Sequence, residues 1–391
     1  MKRFIFILVS GLLLFGCNNL NEISEVDTPA ESGDVHFVTG ATAQKIALNF
    51  NVPRKDSNLQ TRSLSLAADK SIKNVLPYKD ENAETVLHII NFDDDDGFVL
   101  VSADDRMEPV LAYSEEGYFD DDYDNMPYGL QLWLDECRET VQYLRENEEP
   151  QIDEITVLWN KLVEPASISI RGEQPSEPPC TDYELTIFQL LTTTWGQGTG
   201  YNSALNSIIC NGSLVKPEAG CVPVAVAQIL KYHQKPTSYN WSAMVNTFGT
   251  TETQLLIANI HTYINATSPI TYACDGTGVN GNYNIANLFT NYFGYANAFQ
   301  GTYSSQSVKA HIVAQRPVIL MASESSGKGH VWVCDGVSEY QPCALGGHGT
   351  AGYITFHMNW GWDGQFDGWY MSHTPNGHNY SNNTKMVSIY S

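Results

Sequence analysis

One cysteine in this chain heads a run that looks built to present it. Gly220-Cys221-Val222-Pro223 leads into Val224-Ala225-Val226-Ala227-Gln228-Ile229-Leu230-Lys231-Tyr232-His233, a stretch apolar on almost every face and expected to form a buried helix. Pro223 is tolerated there because a first-turn residue has no helical partner for its N–H. A thiol at a helix N-terminus sits at the positive end of the macrodipole, which lowers its pKa and favours the nucleophilic thiolate. A cysteine in such a run also packs well as a small hydrophobe, so its chemistry depends on what else the chain supplies.

A thiol nucleophile needs an imidazole to take its proton and a third group to hold that imidazole. Among the 10 histidines, His330 has the most suggestive setting. The loop Ser325-Ser326-Gly327-Lys328-Gly329 delivers it to the mouth of an apolar strand, on which His330, Trp332 and Cys334 share a face. Asn359-Trp360-Gly361-Trp362 offers an amide to accept the imidazole N–H and indoles to shield that bond from water. An acyl-transfer site also needs donors for the developing oxyanion; the backbone N–H of Cys221 is one and the side chain of Gln197, between two glycines, is a second.

The elements that must position these residues fall into two halves. A chain of 391 residues with 42% apolar residues has room for two cores. Residues 18–179 carry 34 acidic and 12 basic side chains, whereas residues 180–391 carry 10 and 7, an asymmetry that implies two different jobs. So acidic a chain is a poor match for nucleic acid, whose phosphates need a positive face. In the first half the pattern predicts a short helix over Val38–Ala47 and a loop over Arg54–Lys73. Strands at Val86–Phe92 and Gly97–Ser102 flank an aspartate-rich turn, a third strand follows at Val110–Ser114, and helices follow at Gly129–Glu146 and Ile152–Leu162. Glu164–Cys180, rich in proline, reads as a linker and a site for proteolysis. Beyond it come the Cys221 helix, helices at Asn284–Phe293 and Ser307–Gln315, and strands at Pro317–Met321, Gly329–Gly336, Tyr353–Trp360 and Gly368–Met371, an α+β arrangement with an antiparallel sheet.

The N-terminus is a signal for export. Met1-Lys2-Arg3 precedes a short apolar run, and Leu14-Phe15-Gly16-Cys17 resembles the lipobox of bacterial lipoproteins, which implies a lipid on Cys17. Export permits disulfides among Cys137, Cys180, Cys210, Cys274, Cys334 and Cys343, in a pairing that spacing does not settle. No CxxC pair or metal-ligand spacing is present, so neither metal nor cofactor is expected.

Taken together, Trp195-Gly196-Gln197-Gly198, the Gly220–His233 stretch, Gly329-His330 and Asn359-Trp360-Gly361-Trp362 resemble the streptopain family of papain-like cysteine peptidases. Gly97–Asp104 and Pro109–Tyr113 resemble that family's inhibitory prosegment. The resemblance implies a papain-like α+β fold, a buried nucleophile helix packed on an antiparallel sheet, preceded by a small α+β prodomain. It implies a signal peptide over 1–17, an acidic inhibitory prosegment over 18–170 and a catalytic domain over 171–391. Cys221 then matches the nucleophile, His330 the general base and acid, Gln197 the oxyanion-hole glutamine, and Asn359 and Trp360 the residues beside the catalytic histidine. Pro223 and Val224 depart from the small residues expected after the nucleophile, and the extra cysteines are unusual for the family. The expected function is an extracytoplasmic cysteine endopeptidase made as a zymogen in the bacterial envelope. Its partners would be protein or peptide substrates and its own prosegment, with membrane contact only through the lipid. The alternatives are an inactive envelope lipoprotein that binds glycan or protein on the same fold, and a transglutaminase-like acyl transferase.

Overall fold

In the computed structural model, residues 34–55, 61–67, 70–163, 182–324, 328–341, 352–372 and 384–390 are described. The signal segment with Cys17, the linker over 164–180, Ser325–Gly327, Cys343 and the loops at 344–349 and 376–379 lie outside them.

The first half opens with helix α1 (Gly40–Asn49), whose N-cap Thr39 accepts the Thr42 N–H and so satisfies one of the donors a helix start leaves open. Strands β1 (Asn51–Lys55) and β2 (Thr61–Ser65) pair with each other, and β3 (Ile72–Lys79), β4 (Thr85–Phe92), β5 (Phe98–Ser102) and β6 (Val110–Ser114) form an antiparallel meander. Within the loop expected over Arg54–Lys73, most of the described residues are therefore strand. Its polar sequence hides the pairing, and Val52, Leu66 and Ala67, buried in one cluster with Ile46 and Trp159, anchor it to a core. Helices α2 (Tyr128–Glu146) and α3 (Asp153–Val163) complete this half, each with the apolar stripe that the three- and four-residue spacing predicts.

The second half runs β7 (Tyr183–Ile187), β8 (Ile208–Cys210), β9 (Ser213–Val215) and α4 (Cys221–His233), then α5 (Thr251–Asn265), β10 (Thr271–Ala273), β11 (Gly276–Gly278) and α6 (Ala286–Tyr292). It ends with β12 (Asn297–Thr302), α7 (Ser305–Val313), β13 (Val318–Ser323), β14 (Gly329–Gln341), β15 (Tyr353–Asn359), β16 (Gly368–Met371) and β17 (Lys385–Tyr390). The α+β expectation holds, with more strands than the sequence pattern predicts.

Both halves share one sheet. Its order is β12-β17-β13-β14-β15-β16-β6-β5-β4-β3, with β7 added alongside the second part of β14. The seam is the pair β16–β6, where Trp369 faces Tyr113 and Tyr370 faces Ala112. Aromatic contacts reinforce it. Tyr113 stacks on Trp369 at 6.1 Å, Trp133 meets Tyr370 edge to face at 5.1 Å, and Phe119 meets Phe366 at 5.2 Å. Residues His36–Ser391 accordingly cluster as one unit.

Alternation along β14 sends its side chains into two cores. Val331 and Val333 face α4 and α5, with Val224, Ile229 and Ile257. Trp332 and Cys334 face the other way, toward Leu130, Trp133 and Leu134 of α2. Gly129 permits that approach: a Cβ there would lie 2.9 Å from the Trp332 ring and 3.0 Å from the Trp360 ring. The helix of the first half thus rests on the face of β14 that His330 shares with Trp332.

Candidate active site

Helix α4 starts at Cys221, as the sequence predicts, and every residue from Val222 to Leu230 is buried. Gly220 caps it at φ 84°, a left-handed conformation that a side chain would strain, and a Cβ there would also press on Thr277 at 3.1 Å. The turn before it is held from two sides. The imidazole N–H of His261 donates to the Ala219 carbonyl at 2.7 Å, and the Ala219 N–H donates to the Gln197 carbonyl at 2.7 Å. The segment carrying Gln197 is thereby fastened two residues ahead of the thiol.

Cys221 and His330 line one cleft of about 760 Å³, closed on the far side by the β10–β11 hairpin. The Val331 N–H, next in chain to His330, points at the Cys221 sulfur, joined by the N–H groups of Val222 and Cys221 itself. His330 is buried, and its Nε2 lies 2.9 Å from the Trp360 carbonyl. A carbonyl only accepts, so Nε2 carries the proton and Nδ1 keeps its lone pair for the thiol. Trp332 lies parallel to the imidazole at 6.0 Å and Trp362 stands edge-on to it at 6.1 Å.

Two expectations need correction. The Asn359 amide does not hold the imidazole. Its oxygen accepts Gln228 Nε2 at 2.8 Å and the Gly361 N–H at 3.2 Å, and its NH₂ donates to the Thr193 carbonyl at 2.7 Å. The acceptor for His330 is the Trp360 main chain, while the Trp360 indole points into the core and donates to the Phe366 carbonyl at 3.0 Å. Nor does the helix start leave the thiol acidic in this closed form. Burial pushes Cys221 above its ordinary value, the facing N–H groups opposing it, and burial pushes His330 down to about 4 against the pull of the Trp360 carbonyl. Both shifts favour the neutral forms.

Gln197 is buried, and its Nε2 has no hydrogen-bond partner among the described residues, as a donor kept for a transient oxyanion would be. Of the other cysteines, Cys210 and Cys274 form a disulfide that ties the β8–β9 hairpin to the β10–β11 wall of the cleft. Cys137 and Cys334 are reduced and buried, and burial raises both thiols well above the ordinary range, so neither competes as a nucleophile. A separate cavity of about 320 Å³, between α3 and β14, is lined by Glu108, pushed by burial to about 7, and by no cysteine or histidine.

Several contributors escape the sequence reading. Tyr128, at the start of α2, lines the cleft beside Cys221 and His330, and its hydroxyl donates to Glu324. Asp367, raised by burial to about 7, accepts the Trp360 N–H at 2.9 Å. Gln228 is the one polar residue within the apolar core of α4, a signal visible in the sequence that points to a buried partner.

The Peptidase C10 family model matches residues 195–238 and 235–370, and the Spi protease inhibitor model matches residues 35–141. The thiol protease/hemagglutinin PrtT of Porphyromonas gingivalis is 25% identical over 370 residues, 85% of this chain but 38% of that protein. Streptopain of Streptococcus pyogenes serotype M1 is 24% identical over 324 residues, 70% of this chain and 71% of that one. A fragment of prointerpain A from Prevotella intermedia shares the fold, with a TM-score of 0.55 and 20% identity over 82% of this chain and 99% of that fragment. The second half thus matches the Peptidase C10 family model and the first half the Spi protease inhibitor model, so the chain is similar to streptopain-type cysteine endopeptidases that carry an inhibitor segment ahead of the peptidase half.

Proposed function

We propose that Cys221 is the nucleophile of a peptide-bond hydrolase and His330 its base and acid. His330 Nδ1 takes the thiol proton as sulfur attacks the scissile carbonyl, then gives it to the departing amine as the thioester forms. Water, deprotonated by the same nitrogen, hydrolyses the thioester and restores the thiol. Gln197 Nε2 and the Cys221 N–H receive the negative oxygen in both steps. The supporting observation is the shared cleft, with the Cys221 sulfur against the N–H of Val331 and the unprotonated nitrogen of His330 adjacent in chain.

Residues 18–170 act in this reading as the inhibitor. Tyr128 occupies the cleft wall, and the burial that keeps thiol and imidazole neutral accounts for latency. Once the segment leaves, water reaches the pair and the thiolate–imidazolium form becomes accessible. Matured protein treated with a peptide-based thiol-reactive inhibitor should gain one equivalent on Cys221 and lose hydrolysis in proportion. Full activity with Cys221 blocked would overturn the assignment. In the same titration, Gln197→Ala should keep a reactive Cys221 while kcat falls about 10²–10³-fold.

A lipid on Cys17 places the anchor on the inhibitor segment rather than on the peptidase. Cleavage near residues 166–171 then moves activity from the membrane pellet to the supernatant. Fractionation before and after maturation tests this, and activity that still pellets under dissociating conditions counts against it.

A further inference from the structure

We infer that Gln228 is the positioning residue that couples the nucleophile helix to the carbonyl orienting His330 and to the segment bearing Gln197. This inference rests on the Cys221–His330 reading and concerns a residue that touches neither substrate nor the reacting atoms.

Gln228 lies two turns beyond Cys221 on α4 and has no exposed surface. An amide there is costly unless its bonds are made, because each polar atom left unpaired forfeits its hydration. Three bonds are made, to two different segments. The Gln228 oxygen accepts the Thr193 hydroxyl at 2.8 Å and the Trp195 N–H at 3.3 Å, two residues before Gln197. Its NH₂ group donates to the Asn359 oxygen at 2.8 Å. That same oxygen accepts the Gly361 N–H at 3.2 Å, and Asn359 donates back to the Thr193 carbonyl at 2.7 Å.

Peptide planarity makes this network mechanical. The Gly361 N–H and the Trp360 C=O belong to one rigid plane. Asn359 holds one end of that plane, and the other end accepts the His330 Nε2–H. Gln228 therefore fixes, through one intermediary, the direction of the carbonyl that sets the tautomer and rotation of His330. Through its oxygen it fixes the irregular segment leading to the oxyanion donor. Thr193, Asn359, Trp195 and Gln228 are all buried, so the bonds work at low dielectric without competing water.

The site needs such a clamp because its parts come from distant stretches of chain. The thiol is on a helix, the imidazole on β14, the carbonyl after β15, and Gln197 on an irregular segment. Losing the Gln228 donor frees the Trp360–Gly361 plane to turn. The carbonyl favours protonated His330, so its departure lowers the affinity of the imidazole for its proton and narrows, from the alkaline side, the pH window in which the ion pair exists.

The test uses full-length protein allowed to mature, with sites counted by titration of Cys221. Gln228→Met keeps volume and removes every bond; Thr193→Val keeps shape and removes one. Per titrated site, Gln228→Met should lose about 10²-fold in kcat with KM within about twofold, the scale of a displaced catalytic group. The alkaline limb of iodoacetamide alkylation of Cys221 against pH should move to lower pH. Thr193→Val should move the limb in the same direction by less, and it serves if Gln228→Met fails to fold. Unchanged kcat per site and an unchanged alkylation profile in Thr193→Val and any folded Gln228 variant would overturn the inference. If hydrolysis does not follow titrated Cys221 even in the unaltered protein, the reading beneath it fails instead.

Discussion

Cys221→Ala will leave the full-length protein unprocessed and lower hydrolysis of an unfolded protein substrate about 10⁶-fold, the scale seen when a covalent nucleophile is deleted. Among the described residues no other thiol can substitute. Cys137 and Cys334 are buried on the face of the sheet away from α4, and Cys210 is bonded to Cys274. The substitution removes one sulfur at the helix start, while Gly220, Gln228 and the apolar face of α4 keep their packing. The variant should therefore fold normally and accumulate as precursor, read by gel mobility and by hydrolysis of denatured casein. Purified Cys221→Ala that matures unaided would remove Cys221 from the nucleophile's role. Precursor cleaved only when active protein is added would instead locate the cutting in trans.

Arg106→Leu will lower the unfolding free energy of that precursor by about 3–5 kcal/mol, the usual loss when one partner leaves a buried ion pair. Asp104 and Arg106 are nearly sealed from water, with side-chain exposures of 0% and 3%. The guanidinium grips the carboxylate with two bonds, Nε to Oδ1 at 2.8 Å and Nη2 to Oδ2 at 2.7 Å. Its Nη1 donates to the Leu144 carbonyl at 2.9 Å, which also accepts the Glu149 N–H at 3.1 Å, and to the Glu149 carbonyl at 3.2 Å. Leucine would take the guanidinium from a buried carboxylate, leaving Asp104 the main-chain N–H of residue 106 at 3.1 Å and Arg145 at 3.4 Å. Guanidinium unfolding of Cys221→Ala with and without Arg106→Leu measures the loss as a lower midpoint at unchanged slope. An unchanged midpoint would show that the pair holds α2 in place without stabilising it. Because α2 carries Tyr128 into the cleft, the same weakening should hasten release of the inhibitor in the Cys221-containing protein.

What the sequence made legible follows the strength of local pattern. The uninterrupted apolar run of α4 and the three- and four-residue stripe of α2 give both helices to within a residue. The aspartate turn between two β-branched runs gives the β4–β5 pair. By contrast β12, with Asn297-Ala298-Phe299-Gln300-Gly301-Thr302, has weak strand character and exists because β17 offers it a ladder. Strand β3 contains Pro77, which demotes a strand reading, and it survives because it lies at the end of the sheet order, where a missing donor costs little. Helix α5 has its apolar residues at Leu256, Ile257, Ile260 and Ile264, a helical spacing that the motif-led reading passed over.

The site divides in the same way. Side chains that carry chemistry by type, Cys221, His330 and Gln197, are visible as letters. The acceptor for His330 is a main-chain carbonyl, and every residue owns one, so only the folded chain can say that it belongs to Trp360. Asn359 draws attention as the polar neighbour, yet its amide is spent on Gln228, Gly361 and Thr193. The fate of the thiol's proton is likewise a property of the whole fold. A helix N-terminus argues for acidity, and a covered cleft argues harder against it.

The shared sheet has a consequence for life after cleavage. In the intact chain β16 is an interior strand, hydrogen-bonded to β15 on one side and to β6 on the other. Departure of the first half strips one side and leaves the Trp369–Tyr370 ladder as a raw edge beside newly bared aromatic surface from Trp133's former partner Tyr370 and Tyr113's former partner Trp369. Open edges of this kind recruit other strands. Maturation thus unmasks a thiol and, in the same event, creates an adhesive rim, so the freed enzyme gains a tendency to self-associate or to recapture its own inhibitor that the precursor lacks.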